Sequence, residues 1–473
     1  MVDTSRKWIG LIWLVAIVVA YNYMHHVFMY RTPYLFDWIS GIIVYVLKPT
    51  VVFGAIALAS WAVGRLVVRD WAVATVLGMG IIGVAVWMLV IGGRLCFQTV
   101  AIPVILLACM GATRVLTDWR VPQFGRGFDS LRLQWPWYDK AMLAIIIWWI
   151  ARTYLLVFNP TIGFDACHAH LWQTKNYILA GGYVHSPYHT NLALAHCLTI
   201  IQQYLWCPDP GATLQYFGAM MSSVFLYRIG ARLGGRTVGL LAALLFLIQP
   251  WAYFTYMQWF SGPVMLMFLM AGIWCVAYTQ HWWVAGVLLG FALAAKITCA
   301  PLVIILVVLS GRHWWKVLLL ALLASSPWWL VNIWDWGNPI YPFKEQWFTW
   351  ITIGQAPIAE TVDHARPVLP PDWFSWRGHW TNWWYSSNPI AIPGEMTLAG
   401  PWCLALTAPL LLTIRQWTKR IWILVGIIVL LYCYWWLVEG IWHPRYMLYT
   451  FALWTLAGSW GVVKMMEGKK CAG

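Results

Sequence analysis

Residues 163–182, GFDACHAHLWQTKNYILAGG, set a carboxylate, two imidazoles and an ammonium within a few positions of one another: Asp165, His168, His170 and Lys175. A carboxylate accepts a proton from an attacking hydroxyl, and histidine and lysine donate to phosphate or sugar oxygens. The segment 165–181 has no proline, starts near Asp165 and ends on Gly181 and Gly182, which predicts a helix. On that helix Asp165 and His168 share a face, Trp172 follows one turn on, and His170 points elsewhere. A structural role is open to the same residues, with Asp165 as an N-cap and the histidines at an interface. Cys167, His168 and His170 are ligand types as well, but their spacing matches no strong zinc pattern.

The elements that must carry this cluster are written in the composition. The chain has 473 residues, of which 62% are hydrophobic and 10% charged. A soluble domain carries roughly 25% charged residues. The run AMLAIIIWWIARTYLLVF before the cluster reads as a membrane span, and about twenty apolar residues suffice to cross the hydrocarbon layer. Such runs recur near 8–29, 37–63, 72–92, 97–116, 141–158, 211–229, 237–253, 262–279, 283–298, 300–310, 316–332, 399–414, 421–438 and 446–463. The expected fold is an all-α, polytopic transmembrane bundle of about 14 spans, with short interfacial helices in its extracytoplasmic loops.

The net charge of +14 suggests nucleic acid until the charges are placed. With the N-terminus in the cytoplasm and one crossing per run, two thirds of the 30 Lys and Arg fall in cytoplasmic segments. Arg65 and Arg69, Arg228 to Arg236, Arg312 and Lys316, and Arg415 to Arg420 are among them. This is the positive-inside bias, so the basic balance reports orientation, and no nucleic-acid partner is expected. The protein is expected in the cytoplasmic (inner) membrane, multi-pass, with both termini cytoplasmic and its chemistry outside. Lys48-Pro49 is expected to interrupt the second run. The segment 189–206, with His189, His196, Gln202 and Gln203, is expected to lie on or dip into the outer face. The first run lacks a small-residue cleavage site and is expected to stay as an anchor. Three parts are expected: a four-span region at 1–139, a core at 140–465 with outer loops 159–210 and 333–398, and a cytoplasmic tail at 466–473.

Three further stretches line up with the first. They are Lys296-Ile297-Thr298, Gly337-Asn338-Pro339-Ile340-Tyr341-Pro342, and His443 beside Arg445-Tyr446, to be set beside Asp165-Ala166, His170-Leu171, Lys175, Tyr177 and Gly181 of the first. In this order they resemble the motifs of GT-C membrane glycosyltransferases, such as the aminoarabinose transferases and protein O-mannosyltransferases. The resemblance covers roughly residues 140–465. Ala169 stands where the family has Tyr, the last motif lacks its Pro, and Ser261 stands near the place of a second acid. These departures weigh against a two-acid or metal-bridged mechanism and leave Asp165 as the main candidate.

The resemblance implies transfer of a sugar from a polyprenyl-phosphate donor to a hydroxyl. The acceptor would be a lipid, a glycan or a protein such as a pilin, with membrane lipids around it. Asp165 would be the catalytic base. His168, His170, Lys175, Lys296, Asn338, Tyr341, His443, Arg445 and Tyr446 would contact substrate, with Lys296 and Arg445 on the phosphate. No cofactor is certain, and a divalent cation is left open. Each has a plainer role: Lys296 snorkelling, Arg445 paired with Glu439, and Asn338 shaping the turn at Pro339. The Trp-rich segment 344–389, with Asp363, His364, Arg366 and His379, would form a lid or a belt on the bilayer. The rival from another class is a transporter or lipid flippase that relays protons through the Asp/His cluster, and a third reading is a non-catalytic scaffold.

Overall fold

The computed structural model describes residues 48–119, 135–157, 171–185, 193–205, 212–257, 260–279, 281–340, 400–434 and 447–467. Among the described residues the regular elements are all helical and no strand occurs. The helices are α1 (Lys48–Arg65), α2 (Trp71–Ile91), α3 (Phe97–Trp119), α4 (Trp137–Leu156), α5 (Trp172–Ala180), α6 (Leu194–Tyr204), α7 (Thr213–Gly234) and α8 (Arg236–Ile248). They continue with α9 (Pro250–Tyr256), α10 (Ser261–Tyr278), α11 (Trp282–Ala295), α12 (Ala300–Leu309), α13 (Trp314–Trp336), α14 (Gly400–Leu412), α15 (Lys419–Tyr434) and α16 (Leu448–Glu467). From 72–92 onward the apolar runs each coincide with one of these helices to within a few residues, except that 237–253 is divided at Gln249 into α8 and α9, and the part of 37–63 before Lys48 lies outside the described residues.

Four stretches among the described residues are long and apolar enough to cross a membrane: Trp71–Ile91, Phe97–Thr117, Ser261–Tyr278 and Gly311–Trp336. The chain thus has the helices of a membrane protein. The helices α8, α11 and α12 have 13, 14 and 10 residues. At 1.5 Å per residue they span roughly 20, 21 and 15 Å, less than the hydrocarbon layer of about 30 Å. Lys48 and Pro49 lie in α1 at the edge of the described residues, and the part of the run before them, where the expected interruption would show, lies outside the described residues.

The described residues fall into two packed units, one drawn from 48–228 and 255–331, the other from 229–254 and 332–467. In the first, α1 and α2 run antiparallel at backbone contact. A Cβ added at Gly64 would lie 1.8 Å from the Ala74 carbonyl oxygen, and one at Gly78 1.8 Å from that of Ser60. Small residues permit this approach, and membrane helices gain their association from such packing. Gly78→Val is expected to lower the melting temperature measurably, as overpacking costs about 1–3 kcal/mol. Gly54→Ala, with nothing within 4 Å of its added Cβ, is expected to leave the melt unchanged or raised.

In the same unit α10 and α11 form an antiparallel pair, with Gly272 against Leu289 and Phe268 edge-on to Phe291. Gly286 meets Val317 and Leu320, and Gly290 meets Ala321 and Ala324, so α11 and α13 run parallel. The chain must therefore double back through α12. Trp282 stacks on His313 at 5.6 Å, which closes the base of this hairpin. Lys296 follows the end of α11, with φ −163°, and leads into a 3₁₀ turn at Ile297–Cys299. It thus sits at the tip, roughly 21 Å from the base.

The helix α6 lies parallel to the second half of α2. Leu194 faces Gly83, and the Tyr204 hydroxyl donates to the Leu95 carbonyl at 3.1 Å. Residues Leu194–Gln202 are all buried. In the other unit α14 and α16 run parallel, with Leu406 and Leu410 seated on Gly458 and Gly461.

Candidate functional site

Asp165, His168, His170, Tyr341, His443, Arg445 and Tyr446 lie outside the described residues, as does the segment 344–389. The structure places three of the expected site residues, and it also shows what holds the first motif's surroundings. The Ala212 amide donates to the Val157 carbonyl at 3.2 Å. The end of α4 and the approach to α7 are thereby joined, and the excursion 158–211 leaves and returns at one point.

Within that excursion α5 is docked by its polar face. Gln173, Thr174 and Tyr177 are buried, and the Gln173 amide donates to the Tyr177 hydroxyl at 2.5 Å. Tyr177 stacks on Tyr183 at 5.6 Å. Gly181 ends the helix in the left-handed region at φ 67°, a conformation glycine adopts without strain. Its carbonyl accepts from the Leu95 amide at 2.9 Å, and the Tyr183 amide donates to the Val90 carbonyl at 2.8 Å. A Cβ at Gly182 would lie 2.9 Å from Gly93 Cα, so this turn sits directly on the end of α2. Lys175 is on the exposed side of α5.

The opposite end of α2 is basic. Asp70 caps it, accepting from the Ala72 and Val73 amides at 3.1 and 3.2 Å. Both guanidinium nitrogens of Arg228 also reach this carboxylate, and Arg228 lies over the Trp274 ring at 4.2 Å. Burial pushes the Asp70 carboxyl up, but the Arg228 guanidinium and the two amides outweigh it, and the group is held below the usual carboxylate range. A depressed folded pKa adds stability above the unfolded value near 3.9, and that stability is lost as pH falls through the folded value. Asp70→Ala is expected to lose cap and pair together, about 2 kcal/mol at neutral pH. Asp70→Asn keeps an acceptor and is expected to fall between. Thermal melts at pH 7 and near pH 3 check this, because the gap between wild type and Asp70→Ala should narrow in acid.

Two other expected residues are placed. Lys296 is half-buried at the α11–α12 tip. Asn338 is buried in the other unit, and its Oδ1 accepts from the Ile340 amide at 2.9 Å. Asn332 donates to the Pro339 carbonyl at 3.0 Å. The turn-shaping role of Asn338 is thus visible in its bonding. Lys175 and Lys296 belong to one unit and Asn338 to the other.

A cluster absent from the sequence reading gathers around the exit of α4. The Tyr216 hydroxyl donates to the Ile150 carbonyl at 2.6 Å and lies 3.3 Å from the Thr153 hydroxyl. Trp149 donates to the Tyr256 hydroxyl at 2.9 Å, and Tyr154 bonds Thr50. The rings of Tyr154, Tyr216 and Tyr256 follow one another at 5.8 Å centroid spacing. Such a cluster fixes the end of α4, from which Asp165 follows. Among the described residues no three His, Cys, Asp or Glu side chains are grouped to hold a metal ion. Comparison with protein-family models, curated proteins and solved structures finds no match to the chain.

Proposed function

We propose that this chain is a GT-C-type membrane glycosyltransferase. It moves a sugar from a polyprenyl-phosphate donor to an acceptor hydroxyl at the outer face of the cytoplasmic membrane. The observation that carries the reading is the order of four motifs, ending in Asn338-Pro339-Ile340-Tyr341-Pro342 and Arg445-Tyr446, all on one side of a topology drawn from the apolar runs and the basic residues between them. In this reading the chain crosses the bilayer many times, with both termini inside, and the about fourteen apolar runs include α11 and α12, whose hairpin is shorter than two full crossings.

Two features of the structure support it. The 21 residues of α2, about 32 Å long, separate the Asp70–Arg228 pair from the turn at Gly181–Tyr183. That distance matches a bilayer core, as a basic cytoplasmic end and an outer motif require. Likewise the α11–α12 hairpin keeps Lys296 away from Arg312 and Lys316 at its base.

The chemistry follows from the residues. The acceptor oxygen attacks the anomeric carbon from the side opposite the phosphate, and the configuration inverts. The bond from that carbon to the phosphate oxygen breaks, and the polyprenyl phosphate leaves with the electron pair. Asp165 takes the acceptor's proton. Arg445 and Lys296 hold the leaving phosphate, whose charge is costly at the membrane edge without partners. Because phosphate is already a stable leaving group, no strong general acid is needed.

The test is mass spectrometry of lipids co-purifying with the protein, joined to a transfer assay with the glycolipid found. A polyprenyl phosphate or its glycoside, turned over in the presence of acceptor, is the expected result. Ordinary phospholipids alone, with flux of a labelled lipid or ion and no transfer, would move the assignment to a flippase or transporter. The clustering of charge at one face, without repeated halves, favours the transferase.

A further inference from the structure

Arg152 stands in the last turns of α4, after an uncharged stretch that runs from Ala141 to Ala151. Its guanidinium lies 5.3 Å from the centroid of the Trp148 ring and 5.9 Å from that of Trp149. These contacts hold the charge through ring faces and leave its N–H donors unspent. Among the described residues no hydrogen bond and no carboxylate reaches it. Arginine carries five donors in a planar fork and stays charged at any ordinary pH. A cation so placed in a membrane helix needs acceptors.

The surroundings say where an acceptor comes from. Trp149 is buried, and its indole N–H is committed to the Tyr256 hydroxyl. Trp148 is 54% exposed and Ile147 59%, so this side of α4 faces outward, toward lipid in a membrane-embedded chain. Lys140 begins the same helix twelve residues earlier, roughly 18 Å away, so Arg152 belongs to the opposite leaflet. A fork of free donors on an aromatic shelf, open to lipid, matches a phosphate at the end of an acyl or prenyl chain, which guanidinium binds bidentately.

We infer that Arg152, shelved on Trp148 and Trp149, is a binding site for the phosphate of a membrane lipid at the exit of α4. The phosphate stands on this geometry alone, while a prenyl tail rests on the transferase reading above. In that reading the site is where the donor docks before it reaches the segment that carries Asp165. Ordinary phospholipid is the competing occupant.

The probe is farnesyl phosphate, with farnesol and inorganic phosphate as controls, measured by thermophoresis on the full chain in detergent. Wild type is expected to bind farnesyl phosphate at least tenfold more tightly than Arg152→Gln, with farnesol equal in both. Arg152→Lys keeps charge but not the fork and is expected between them, which remains readable if Arg152→Gln fails to fold. Equal affinity for farnesyl phosphate in wild type and both variants would overturn the site and leave Arg152 as a snorkelling residue. Displacement of farnesyl phosphate by millimolar inorganic phosphate would overturn the lipid source, and equal displacement by phosphatidylglycerol would overturn the prenyl tail while keeping the lipid phosphate. None of these arms contains sugar or acceptor, so loss of the transferase reading and loss of this site are separate outcomes.

Discussion

Asp165→Asn is expected to reduce sugar transfer by about 10²–10⁴-fold while leaving donor binding nearly unchanged. The argument begins with charge. The substitution nearly preserves size but removes the only carboxylate in the first motif. An acceptor hydroxyl is a poor nucleophile until its proton has somewhere to go, and the carboxylate takes it as the new bond forms. The donor needs no such help, because its phosphate departs already stabilised. The loss should therefore fall on the chemical step and spare the affinity for donor. Single-turnover transfer from labelled glycolipid, beside a donor titration, separates the two. Near-normal turnover in Asp165→Asn would remove the base assignment, and equal loss of transfer and donor affinity would make Asp165 a binding residue. The excursion that holds Asp165 is closed at its base by Val157 and Ala212, so a folded variant retains the scaffold on which the comparison depends.

Much of the helical framework was legible because lipid imposes a coarse rule. A spanning helix must be apolar over its length, and α2, α3, α10 and α13 show that pattern with little interruption. Depth is harder to read. The residues of α11 and α12 are as apolar as those of a full span, yet they form short arms either side of Lys296, and hydropathy does not count how far a hairpin reaches. The helix α6 carries a detail that composition does not show. His196 and Gln202 look like surface residues, but His196 accepts from the Ala193 amide and Gln202 donates to Thr213, so their polarity is used internally and the helix is buried. Lys175 and Asn338 were found by motif, and only coordinates could show that one is exposed and the other spent on a turn. Arg152 was written in plain view, a single charge in an apolar run. Its meaning depends on two indole rings and on the lack, among the described residues, of a carboxylate that reaches it, and spacing along the chain reveals neither.

Arg445→Ala should show the converse of Asp165→Asn. In the proposed mechanism Arg445 grips the phosphate that the donor and the leaving group share. A hydrogen-bonded contact between charged groups contributes roughly 1.5–3 kcal/mol. Its loss then raises the dissociation constant for donor by about ten- to a hundredfold, since 1.4 kcal/mol is a factor of ten. The phosphate gains charge as the glycosidic bond breaks, so the turnover rate at saturating donor should fall as well, though less than in Asp165→Asn. Arg445→Lys should recover part of the affinity, because a point charge replaces the fork. The plainer role, a tie between Arg445 and Glu439, predicts something different. In that case Glu439→Gln would lower stability as much as Arg445→Ala does, and donor affinity would be unchanged in both. Titrating donor against Arg445→Ala, Arg445→Lys and Glu439→Gln, with a melt of each, decides between them. Lost affinity at normal stability assigns the phosphate, whereas lost stability at normal affinity assigns the tie.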